Sequence, residues 1–100
     1  MIWHVVTFEW RPEVSAEQVE ALVEALARFR AEIPVLVDYR YGPDLGLREN
    51  NGDFAIVAVL ASADDLPAYL DDPAHHALVR DFIAPLSARR LAVQIAVDDA

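Results

Sequence analysis

Phe54-Ala55-Ile56-Val57-Ala58-Val59-Leu60-Ala61 is an unbroken apolar run with β-branched residues at its centre. Asn51-Gly52-Asp53 precede it and Ser62 follows, so its length and flanks predict a strand. A strand with one face in water alternates apolar and polar residues. One that is apolar throughout is covered on both faces. Helices supplied by the chain can cover one face of the sheet around this strand. Something else must cover the other.

Working outward, residues 2–11 read as a strand with His4, Val6, Phe8 and Trp10 on one face and Trp3, Val5, Thr7 and Glu9 on the other. Pro12 ends it, and Ser15-Ala16-Glu17-Gln18 has the form of a capping box. The helix predicted from there to about Arg30 buries Val19, Leu22, Val23, Leu26 and Phe29. A second strand is expected over 35–41, closed by Gly42-Pro43. The long connection to Gly52 serves as a pocket rim or a surface excursion. After the apolar run, Ser62 is expected to cap a short helix over 63–70. Asp72-Pro73 opens another that ends near Pro85, and the last strand runs from Leu91 to Val97 with a polar end at 98–100.

The order is β-α-β-β-α-β in a single domain over 1–100. It predicts an α+β, ferredoxin-like fold: a four-stranded antiparallel sheet with helices on one face. The apolar residues left on the other face call for a second copy packed sheet to sheet, a homodimer.

Composition excludes several function classes. Seventeen acidic residues face eight basic ones, all arginine, for a net charge of −9, the wrong sign for a nucleic-acid partner. No apolar stretch is long enough to span a membrane, and the N-terminus enters a strand pattern without a secretory leader. Without cysteine there is no disulfide or thiol chemistry, and a cytoplasmic location is expected. Without lysine there is no Schiff base, and the glycines form no phosphate-binding loop.

Acid–base chemistry is left to the histidines, tyrosines and carboxylates. Asp72 as N-cap puts His75 at the third helical position, on one stripe with Leu78, Val79 and Phe82. Leu66, Tyr69 and Leu70 form the matching stripe of the preceding helix, so a phenol and an imidazole are expected to meet. His75 suits a general base, since a free imidazole titrates near 6.5. The helix dipole there disfavours imidazolium and the Asp72 carboxylate favours it. Tyr69 can donate to a substrate carbonyl and stabilise an enolate. The structural alternative has His75 bonded to a carbonyl or to Tyr69, merely fixing the turn. His4 is expected to face the helices, as a core residue or a ligand contact. Phe8, Val23, Leu26 and Leu78 are the expected walls of a shared cavity. His75 and His76 lie about 100° apart on the helix, so no metal site is expected, and no cofactor.

Met1 to Phe8, Gly42, the Asn51-Gly52-Asp53-Phe54-Ala55 entry to strand three, and Tyr69 to His75 with its Asp-Pro-Ala-His core resemble the stress-responsive A/B barrel (Dabb) family. The resemblance covers nearly the whole chain and implies a dimeric α+β barrel. Plant polyketide cyclases of that family use a tyrosine and a histidine that match Tyr69 and His75. Val23 and Leu26 stand where those cyclases carry aromatic residues. Three functions are therefore carried forward: a small-molecule-binding or stress-associated A/B barrel protein with no established turnover, a cofactor-independent enzyme that cyclises or isomerises a polyketide-like carbonyl compound through Tyr69 and His75, and a cofactor-free monooxygenase of electron-rich phenols.

Overall fold

The apolar run forms β3 (Phe54–Leu60), an interior strand between β1 (Ile2–Trp10) and β2 (Asp38–Pro43) in the computed structural model, which describes residues 1–98. With β4 (Ser87–Ala96) on the far side of β1, the sheet order is β2-β3-β1-β4, and every pairing is antiparallel. The helical elements are α1 (Ala16–Glu32), α2 (Leu66–Leu70) and α3 (Pro73–Leu78), and this is the predicted ferredoxin-like topology.

Register decides which side chains share a face. One face carries the cross-strand rows Tyr39–Ala58–His4–Gln94, Tyr41–Ile56–Val6–Ala92 and Pro43–Phe54–Phe8–Arg90. Val6, Phe8, Phe54, Ile56 and Ala58 are buried there in the core with Leu22, Leu26 and Phe29 of α1. The opposite face carries Asp38–Val59–Trp3–Ile95, Arg40–Val57–Val5–Val93 and Gly42–Ala55–Thr7–Leu91. Among the described residues, no helix covers that side. Leu91, Val93 and Ile95 stay 58%, 54% and 44% exposed on it.

The caps explain where the helices start. Ser15 Oγ accepts from the Gln18 N–H at 3.2 Å while Gln18 Oε1 accepts from the Ser15 N–H at 2.8 Å, completing the capping box. Asp72 Oδ1 accepts from the Ala74 N–H at 2.8 Å, with Pro73 in the first turn. Ser62 departs from expectation. It makes no side-chain cap, and the chain passes through a 3₁₀ turn (Ala63–Asp65) before α2. Past Leu78 the coil widens into a π turn (Val79–Ile83), closed by the Ala84 N–H donating to the Val79 carbonyl at 2.8 Å.

Two strands have their boundaries corrected. β2 starts at Asp38 and extends through Gly42-Pro43, because it is an edge strand whose outer side needs no proline N–H. β4 starts at Ser87, since Arg89 and Arg90 pair with Glu9 and Phe8 in the ladder. Charged side chains are ordinary on an edge strand and mask its signal in the sequence. Of the predicted polar end, residues 99 and 100 lie outside the described residues. Among the described residues, no helix is long and apolar enough to cross a membrane.

Candidate functional site

The turn between α2 and α3 brings Tyr69 and His75 together. Their ring centroids lie 5.1 Å apart at a 66° interplanar angle, an edge-to-face contact. The Tyr69 ring also meets His4 at 5.8 Å, Phe29 at 6.0 Å and Tyr39 at 6.3 Å. Phe29 backs His75 at 5.8 Å. One helix pair and two strands thus place two imidazoles and two phenols around one point.

That point is the inner end of a cavity of about 540 Å³ between the helices and the β1/β4 half of the sheet. Val6, Phe8, Ile56, Leu78 and Ile83 give it apolar walls; His4, Tyr39, Tyr69 and His75 contribute its buried polar groups. The π turn carries Val79, Arg80 and Ile83 to its mouth.

Of the residues expected at a site, His4, Phe8, Tyr69, His75 and Leu78 line this cavity. Val23 and Leu26 do not. Leu26 is completely buried in the core and Val23 is partly buried against that core, so neither side chain reaches the cavity. Tyr39, Gln94 and Arg90 are the residues that sequence reasoning missed. Strand periodicity alone could not say that Tyr39 would reach the Tyr69 ring. Gln94 and Arg90 are assigned only by the β1–β4 register.

The electrostatics keep the site neutral. Burial pushes the His75 imidazole below its ordinary value, helped by His76 and His4 and opposed by the Leu70 backbone. His75 Nδ1 is buried without a hydrogen-bond partner among the described residues. His4 is likewise pushed down, first by burial and then by Arg90. The Gln94 side-chain nitrogen donates to His4 Nδ1 at 2.8 Å, which leaves the proton of the neutral ring on Nε2. Burial raises both phenols above their ordinary range. For Tyr69 the raise is opposed by hydrogen bonding from Tyr39 and by the charge of Arg90. At neutral pH the His4 and His75 rings are therefore neutral and the Tyr39 and Tyr69 phenols intact.

The family model described as Stress responsive A/B Barrel Domain matches residues 2–97. Among solved structures, the chain is similar to a dimeric ferredoxin-like protein of unknown function from Thermobifida fusca, at 45% identity over 96% of this chain and 90% of that one, with a TM-score of 0.89. It shares its fold with the hydroxynitrile lyase of Passiflora edulis, at 16% identity over 99% of this chain and 94% of that one and a TM-score of 0.83. It also shares it with SnoaB, a cofactor-independent oxygenase from Streptomyces nogalater, at 16% identity over 99% of this chain and 94% of that one and a TM-score of 0.75. No curated protein matches the sequence.

Proposed function

Because the chain belongs to the stress-responsive A/B barrel (Dabb) family, we propose that it is a homodimeric protein whose cavity takes a small aromatic or polyketide-like carbonyl compound, with His75 as general base and Tyr69 as hydrogen-bond donor. The observation that carries this reading is the pair itself: the Tyr69 and His75 rings meet at 5.1 Å and both line a cavity with apolar walls. An apolar pocket with a few convergent polar groups is the usual form of a small-molecule site.

The chemistry follows from the protonation states. A neutral imidazole can accept a proton from carbon next to a carbonyl, while the C–H electron pair moves onto the carbonyl oxygen as an enolate. The Tyr69 phenol, kept protonated by burial, donates to that oxygen. The enolate carbon can then attack a second carbonyl of the same molecule. His75 returns its proton to the new alkoxide, so cyclisation consumes no cofactor. The dimer rests on the uncovered sheet face of Trp3, Leu91, Val93 and Ile95, which a second copy would bury.

Thermal melts of Tyr69→Phe and His75→Ala, with a panel of phenols and β-polyketone analogues, test the reading. We expect ligand-induced stabilisation of the wild type that is weakened in both variants. Lower stability of the variants with no ligand shift in any form would assign both groups to the fold alone.

A further inference from the structure

The charge around the cavity does not follow the charge of the molecule. The chain carries 17 acidic residues and a net charge of −9, yet no aspartate or glutamate lines the cavity. Its permanently charged groups are two arginines, beside the exposed His76, and the two differ. Arg80 is spent on its neighbour: its Nε and Nη2 donate to the Asp81 carboxylate at 2.8 and 3.0 Å. Arg90 sits opposite Phe8 on the helix-facing side of β4, lines the cavity, and has no hydrogen bond or ion pair among the described residues. It is nonetheless close enough for its charge to act on His4, Tyr69 and His75.

We propose that the cavity takes a ligand bearing a carboxylate, which enters with its apolar body first and leaves the carboxylate at the mouth against the Arg90 guanidinium. The inference rests on the reading of the cavity as a small-molecule site and narrows its ligand class. A guanidinium presents two parallel N–H donors that match a carboxylate. The walls behind it suit a ring or an aliphatic body, and the neutral Tyr69–His75 pair at the inner end then faces the part of the ligand farthest from the charge. A doubly charged phosphate is a poorer fit, because the second cation is already neutralised by Asp81.

The test is titration of the protein with 2-naphthoate and with 2-naphthamide, which have similar shape and differ in charge. Binding is followed by calorimetry and by the imidazole NMR signals of His4 and His75, which report occupancy of the cavity itself. Native protein is expected to bind the carboxylate about five- to tenfold more tightly than the amide, with the preference shrinking as salt is raised. In Arg90→Gln the preference should vanish while amide affinity is unchanged, and Arg90→Lys should keep part of it. Arg90 is exposed, so melts of the free variants should match the native protein. Equal binding of both compounds to native protein, or a preference that survives Arg90→Gln, overturns the anchor and leaves the cavity as a ligand site. Failure of both compounds to perturb His4 and His75 at millimolar concentration overturns the cavity reading, and the anchor with it.

Discussion

His75 and His4 tie the site to the stability of the fold. Both are held below the ordinary value of 6.5, with burial the leading cause. The folded protein therefore keeps them neutral where the unfolded chain takes up protons. Their contribution to stability is whole above pH 6.5 and is lost as pH falls through their folded values. The midpoint of thermal unfolding should hold steady from about pH 8 to 7 and drop below about 6.5. A His4→Gln, His75→Gln double variant should show a smaller drop over that window, and an equal one would place the proton uptake elsewhere. Asp72 acts beside them. Its N-cap bond sets where α3 begins and hence where His75 points, so Asp72→Ala should cost about 1 kcal/mol by denaturant unfolding. It should also lower ligand affinity if the turn positions the imidazole.

At the scale of elements, β3 and α1 are where pattern and structure agree. Leu26 is fully buried but does not reach the cavity. Leu26→Ala should therefore cost about 2–5 kcal/mol of stability while leaving the pH behaviour of His75 unchanged; a shifted His75 titration by NMR would contradict the separation of core and site. β4 behaves differently. Its side chains are exposed over most of its length, yet its register places Gln94 on His4 and Arg90 on the cavity. An edge strand carries this much function because one of its faces is open.

At the scale of the molecule, the exposed sheet face is where the proposed dimer is tested. Val57 lies in the middle of it, flanked by Arg40 and Val5. A charge there would be buried in a sheet-to-sheet dimer and harmless in a monomer. Light scattering should give twice the 11.1 kDa chain mass at micromolar concentration. Val57→Asp should give the single mass or fail to fold. A wild type that scatters as a folded monomer, or a Val57→Asp dimer of native stability, would remove the sheet-face dimer.

The sequence was sufficient for what depends on local periodicity. Phe54 to Leu60 marked an interior strand of the sheet, Ser15 to Gln18 and Asp72-Pro73 set two helix starts, and the apolar stripes put Tyr69 and His75 in contact. These follow from backbone geometry and from patterns that repeat within a few residues. Strand register is different, because it joins residues far apart in the chain through hydrogen bonds that read no side chain. Only the tertiary structure could pair Gln94 with His4, set Arg90 opposite Phe8, bring Tyr39 to Tyr69, and lay α1 so that Leu26 and Val23 serve the core while the cavity opens beneath α3.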